Sequence, residues 1–266
     1  MASGAFVLTP AAGKKLIGMA VAALPEVKWA FEKGRLAIAN GTTTGYVIEA
    51  LSGAPVARFD YCVGMITDGL FTENPESDHR MMIWQQGEQV KVPFAECLSV
   101  FRQFERNDVF IKGANAVDPF GYAGGLQTNP NGGSWADVFG ILTARGICCI
   151  VPVGLEKMIP SVLEASRKIG QLRLTYSLGS PPGMIPLTTF NVVTEVQALE
   201  QLSGVNATPI AGGGIGRCEG ARAFVVEGTA EQVEKAFALV KQVHGEPPVK
   251  LEGKTEALPH KLPEGW

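Results

Sequence analysis

The sequence predicts an α/β protein: a parallel sheet flanked by helices, with a smaller α+β unit toward the C-terminus. Three observations carry this. Short apolar runs alternate with helix-period segments through residues 1–180, the pattern of a layered α/β sheet. Ile147-Cys148-Cys149-Ile150-Val151-Pro152-Val153 is apolar throughout, as strands covered on both faces are. The character then changes near Ser180-Pro181-Pro182-Gly183, beyond which the order reads β-α-β-β-α.

In chain order, Thr9-Pro10 supplies a cap and a first helical residue for the run through Leu16 to Leu24. That run follows Lys14-Lys15 but is not read as a signal peptide. Pro25-Glu26-Val27-Lys28 stands where a small-residue cleavage site would be, and the run is too short to span a bilayer. Arg35 to Ala39 is a short buried strand that stops at Asn40-Gly41, and Thr42 to Leu51 is a helix ended by Ser52-Gly53. Phe59 to Ile66 reads as a strand and Thr72 to Asp78 as a polar loop. Met81 to Trp84 pairs with Glu88 to Val92 across Gln85-Gln86-Gly87. Pro93 to Phe104 is a helix burying Phe94, Cys97, Leu98 and Phe101 at helical spacing. Asp108 to Ile111 is a strand, followed by a long loop to Gly133 and a helix over Ser134 to Arg145.

Beyond residue 181 the reading is strand 185–193, helix 194–202, strands 206–211 and 221–227, and helix 230–244. Thr229-Ala230-Glu231-Gln232 is a capping box, and Val233, Ala236, Phe237 and Val240 form an apolar stripe. This order is similar to part of a ferredoxin-like unit. The tail, Glu246 to Trp266, carries Pro247, Pro248, Pro259 and Pro263 and reads as extended. The organisation is therefore 1–180, 181–245 and an arm over 246–266, and the arm predicts a homo-oligomer.

Composition narrows the partners. A net charge of -3 provides no basic face for nucleic acid. Five cysteines without a CxxC pair argue against a disulfide framework and for a reducing, cytoplasmic setting. His79, His244 and His260 lie far from any cysteine pair, so neither zinc nor another metal is expected, and no cofactor or membrane association is called for.

Four glycine-rich segments are candidates for chemistry. In Asn40-Gly41-Thr42-Thr43-Thr44 a strand hands over to a helix. A helix N-terminus offers unpaired N–H groups and partial positive charge, and glycine with three hydroxyls suits a phosphate or carboxylate; the plainer alternative is one capping threonine. Lys112, Gly113, Asn115 and Asp118 leave the carboxyl end of a strand, where open α/β sheets bind ligands. The alternative there is a loop whose Asn115 and Asp118 bond their own backbone. Asn131-Gly132-Gly133 precedes a helix and offers a second anion-binding turn, or simply a cap by Ser134. Gly212 to Gly220 does not fit a dinucleotide register and reads as a hairpin connection.

Leu36 to Thr44, Asp108 to Asp118 and Ile147 to Lys157 together resemble one superfamily over roughly residues 10–160. It comprises ribose-5-phosphate isomerase, glucosamine-6-phosphate deaminase, DeoR-type sensor domains, translation initiation factor 2B-like isomerases and CoA-transferases. The resemblance implies a Rossmann-like sheet, phosphate contacts at Gly41, Thr42, Thr43 and Thr44, and pocket positions at Asn115, Asp118 and Lys157. The chain departs from the isomerase at Lys112, Asn115 and Ala116, where only Asp118 keeps an acidic group. The expected function is binding of a small phosphorylated or carboxylated metabolite. Isomerisation of a sugar phosphate would use Asp118 to move a proton and Lys112 or Lys157 to stabilise charge. The alternatives are a non-catalytic sensor and a CoA or acyl transferase with Glu219 as nucleophile.

Overall fold

A computed structural model describes residues 1–77, 81–93 and 96–265. The elements run β1 (Ala2–Leu8), α1 (Pro10–Ala23), α2 (Pro25–Glu32), β2 (Arg35–Ile38), α3 (Thr42–Ser52), β3 (Gly64–Thr67) and β4 (Leu70–Glu73). They continue with β5 (Met81–Gln85), β6 (Glu88–Val92), α4 (Cys97–Phe101), β7 (Val109–Ile111), β8 (Ala116–Val117), β9 (Ala123–Gln127), α5 (Gly133–Arg145) and β10 (Cys148–Pro152). The last are α6 (Val162–Lys168), β11 (Gly183–Leu187), β12 (Asn191–Val193), α7 (Glu195–Ser203), β13 (Asn206–Gly213), β14 (Ala221–Gly228) and α8 (Ala230–Val243).

The central sheet has the order β12-β10-β7-β2-β5-β6. Its first four strands are parallel, while β5 and β6 add an antiparallel edge. Helices cover both faces. Ala37, Phe110 and Cys149 lie in register across β2, β7 and β10 and so share a face. There Phe110 meets Phe101 of α4 at 5.0 Å and Trp135 of α5 at 5.8 Å, both edge-on. One residue earlier, Leu36 and its partner Trp84 point the other way, and Trp84 packs on Phe31 of α2 at 5.5 Å. Helix α1 packs on α2, α3 and α7 and completes that layer. Phe101, Phe110, Trp135, Leu36 and Ile38 are buried, and full burial of each such side chain contributes roughly 1.5–3 kcal/mol.

A second sheet, β1-β14-β13, is antiparallel and carries α8, whose capping box at Thr229 and Gln232 forms as the spacing predicts. Strand β1 pairs with β14 from Ala2↔Gly228 to Leu8↔Arg222, so the chain's first and last strands are neighbours. A small sheet, β11-β9-β8, and the hairpin β3-β4 complete the strands.

Several expectations change here. The strand expected over 59–66 is a turn through residues 58–61, with the strand beginning only at Gly64. The loop expected up to Gly133 contains β8 and β9. The strand expected over 185–193 divides: β11 joins β9, and β12 joins the central sheet beside β10. In the helix expected over 93–104, α4 is the α-helix among the described residues; Phe101 is buried and Leu98 exposed, while Phe94 and the Cys97 side chain lie outside what is described. The tail is extended, as its prolines predict, and touches the body where Glu256 exchanges backbone hydrogen bonds with Glu73.

The parallel strands fix the position of the site. Strands β2, β7, β10 and β12 all end at one edge of the sheet. The segments Asn40–Thr44, Lys112–Asn115, Gly154–Lys157 and Thr194–Glu195 leave from that edge.

Candidate anion-binding site at the carboxyl ends of the sheet

The α3 N-terminus is open to a ligand. Its cap residue is Gly41, and no side chain caps the helix. Gly41 has φ 154°, which favours glycine, and a Cβ there would crowd Thr44 Oγ1 at 3.1 Å. The hydroxyls do not act alike. Thr44 Oγ1 donates to the Gly41 carbonyl at 3.0 Å, which shapes the turn. Thr43 is buried, and Thr42 lines a cavity. The loop is anchored from the next segment: Gly41 N–H donates to the Tyr61 carbonyl at 2.8 Å, and Tyr61 OH donates to the Ile38 carbonyl at 2.7 Å.

That cavity, of about 640 Å³, lies where the first turns of α1 and α3 come together. Thr9, Lys14, Thr42 and Tyr46 contribute the helix side of its lining. The β13–β14 loop, through Arg217 and Glu219, and the start of the arm, 245–249, contribute the rest. Glu246 is already saturated, with Lys15 at 2.6 Å, Tyr46 OH at 3.0 Å and Arg58 at 3.3 Å.

Behind Lys14 sits the half-buried side chain of Glu156. Lys14 Nζ is 3.3 Å from Glu156 Oε1, yet neither Glu156 oxygen accepts a hydrogen bond. The pair is close enough to attract and too poorly aligned to bond. The Glu156 carboxylate folds back over Gly154, where any Cβ would collide with it. Glu195, at the start of α7, accepts Leu155 N–H at 2.8 Å. Burial pushes its carboxyl up to about 7, with the Glu156 charge adding to the rise. Lys157 Nζ donates to the Ala114 carbonyl at 2.8 Å, which ties the β10 loop to the β7 loop. Burial brings that ammonium down to about 8, with repulsion from Lys14 next. Cys62 feels both lysines, but burial outweighs them and raises its thiol to about 11, so it is no thiolate at neutral pH.

The other expected residues are placed as follows. Lys112 is half-buried on the α5 face, its Nζ 5.8 Å from the Trp135 ring centre. Burial brings it down to about 8. Gly113 follows it in the connection to β8. Asn115 Oδ1 accepts Leu126 N–H at 3.0 Å, and Asn115 is exposed. The Asp118 carboxylate accepts backbone N–H groups from Phe120 and Tyr122 at 3.0 Å and from Val162 at 2.9 Å. This is the self-bonded loop that the sequence also allowed, and Asp118 staples it to the start of α6. Asn131, Gly132 and Gly133 stand at the α5 N-terminus, which Gly132 caps with no side-chain bond from Ser134. Of the residues expected to bind the anion, Thr42 alone lines the cavity beside Lys14, and Glu219, the nucleophile of the transferase alternative, lines it from the β13–β14 loop.

Lys14, Glu156 and Glu195 are contributions that sequence reasoning missed. Gly154 directly after an apolar strand was the available signal for Glu156; Lys14 and Glu195 read as ordinary first-turn helix residues. Among the described residues no group of three or more His, Cys, Asp or Glu side chains could hold a metal ion. No described helix is long and apolar enough to cross a membrane. No protein-family model matches the chain, and neither the curated proteins nor the solved structures hold a match.

Proposed function

We propose that the chain binds a small phosphorylated or carboxylated metabolite in the cavity between α1 and α3. One observation carries this reading: an uncapped, glycine-entered helix N-terminus and a lysine from a second helix line the same cavity at the carboxyl ends of parallel strands. The anion is held by the free N–H groups of the α3 first turn, the Thr42 hydroxyl and Lys14, with Lys157 adding positive potential from behind. The four parallel strands are then used in a Rossmann-like way, with ligand outside their ends. Binding is preferred to isomerisation through Asp118, because that carboxylate already accepts three backbone hydrogen bonds.

The test is a thermal-shift and calorimetric screen with inorganic phosphate, sugar phosphates, nucleotides and CoA esters, repeated on Thr42→Val and Lys14→Gln. At least one anion raises the melting temperature of the native protein. Each variant weakens it by roughly ten- to a hundredfold, as loss of one charge-assisted contact of about 1.5–3 kcal/mol requires. If no anion stabilises the native protein, the reading fails.

A further inference from the structure

One wall of the cavity between α1 and α3 is chain that belongs to no helix or strand. Helix α8 ends at Val243, and Glu246 N–H donates to the Val243 carbonyl at 3.1 Å. Gly245 lies between them at φ 80°, a left-handed conformation that glycine adopts without strain, and no atom stands within 4 Å of where its Cβ would be. Residues 245–249 then run along the cavity and line it with Pro247, Pro248 and Val249.

This stretch is fastened unevenly. At its start one side chain ties it to the body. The mostly buried Glu246 carboxylate meets Lys15 of α1 at 2.6 Å, Tyr46 OH of α3 at 3.0 Å and Arg58 of the turn after α3 at 3.3 Å. Those partners are held from the body's side: Arg58 lies 4.0 Å over the Tyr46 ring and pairs with Glu49 at 2.9 Å. At the far end the tie is backbone pairing, where Glu256 exchanges hydrogen bonds with Glu73 and Leu258 N–H donates to Ser180 Oγ at 2.7 Å. Between the two ties, residues 247–255 make no hydrogen bond or ion pair among the described residues. Pro247 and Pro248 have no N–H to donate, and their rings fix φ. Both are exposed, as are Lys250 to Lys254, and Gly253 passes close to the Phe59 ring.

We propose that residues 245–255 are a strap that gates the cavity, with Gly245 as its hinge and the Glu246 carboxylate as its latch. Closed, the strap supplies the wall of Pro247, Pro248 and Val249. Released, it turns about Gly245, the double proline carries the motion as one stiff piece, and that side of the cavity opens to solvent. An arm that needed only to be anchored would be paired along its length, as it is at Glu256. A single carboxylate bound by an ammonium, a guanidinium and a phenol holds firmly while all three contacts stand, and nothing else in 247–255 resists once it lets go. The inference goes beyond the anion-binding reading and requires no particular ligand.

The test uses the protein's own thiols. Cys218 lines the same cavity and is half-buried, whereas Cys62 and Cys149 are buried in the body. Alkylation by iodoacetamide, followed peptide by peptide with mass spectrometry, reads strap opening at Cys218 and general loosening at the other two. The native protein is compared with Glu246→Gln, which keeps the shape of the latch and removes its charge, and with Lys15→Met, which leaves Tyr46 and Arg58 on it. Cys218 in Glu246→Gln should react about tenfold faster than in the native protein, the size of one charge-assisted contact. Lys15→Met should give a smaller acceleration, and Cys62 and Cys149 should keep their native rates in both. A Cys218 rate that is the same in all three proteins, or Cys62 and Cys149 rates that rise in step with it, overturns the inference. Should Glu246→Gln not fold, Lys15→Met decides by the same two criteria. The assay contains no anion, so its failure leaves the anion-binding reading standing, and failure of the anion screen leaves the strap standing.

Discussion

The sharpest prediction concerns Glu195→Gln. The Glu195 carboxyl is buried where α7 begins: one oxygen accepts Leu155 N–H, and the other lies 2.5 Å from where a Cβ on Gly13 would stand. Burial first, and the Glu156 charge second, raise it from 4.5 to about 7. The folded protein therefore keeps this proton across a window in which the unfolded chain has released it. Stability falls as pH rises from 4.5 to about 7 and levels off above. At about 1.4 kcal/mol per pH unit the loss amounts to roughly 3 kcal/mol. Glutamine keeps an acceptor for Leu155 and cannot ionise, so the variant lacks this loss. Urea unfolding of both proteins at a series of pH values from about 5 to about 8 measures it, within the window that linkage defines. The stability gap should move by roughly 3 kcal/mol in the variant's favour across the series. Parallel curves, with a gap that does not change with pH, would refute the burial argument.

Three further outcomes follow from the same geometry. Gly41→Ala strains a backbone at φ 154° and crowds Thr44 Oγ1; chemical unfolding should show a loss of roughly 1–2 kcal/mol, with weaker phosphate binding by calorimetry. Asp118→Asn puts a donor where the carboxylate now accepts backbone N–H groups from Phe120, Tyr122 and Val162. It should cost about 1–3 kcal/mol of stability and leave phosphate affinity unchanged, whereas loss of binding at unchanged stability would return Asp118 to the site. Glu246→Gln weakens the contacts with Lys15, Tyr46 and Arg58 that fasten the arm, so limited proteolysis should cut within 247–265 faster than in the native chain.

Much of the sheet was legible because its strands are short, apolar and bounded by glycine: Leu36 to Ala39, Val109 to Ile111 and Cys148 to Pro152 carry their own signal. The Gly41 turn was legible for the same reason, since glycine before three threonines marks a strand-to-helix change. What failed depends on distant partners. Ala2 to Leu8 is a strand because Arg222 to Gly228 lies beside it, and its Ala, Ser and Gly have little strand preference of their own. Residues Ala116 to Gln127 read as loop because Gly124 and Gly125 pack no side chain, yet pairing with β11 makes β9 a strand. The apolar stretch around Pro186 to Val193 looked continuous. It divides because Leu187 pairs with β9 while Asn191 pairs with β10, a choice made by topology.

The missed charges raise a different point. Lys14, Glu156, Lys157 and Glu195 place two cations and two carboxylates largely out of water around one short turn. Stability alone gives little reason for this. Desolvating such groups costs several kcal/mol each, and buried ion pairs are often replaced by apolar side chains with no loss. Here the compensation is also incomplete, because both Glu156 oxygens lack a hydrogen bond. A fold that needed only to pack this corner would fill it as it fills the space between Phe110 and Trp135. The cluster lies instead beside the one helix N-terminus that glycine leaves uncapped at the end of β2, with Lys14 shared between Glu156 and the cavity. Under the proposed anion reading the arrangement serves Lys14, held by Glu156 on one side and facing the cavity on the other.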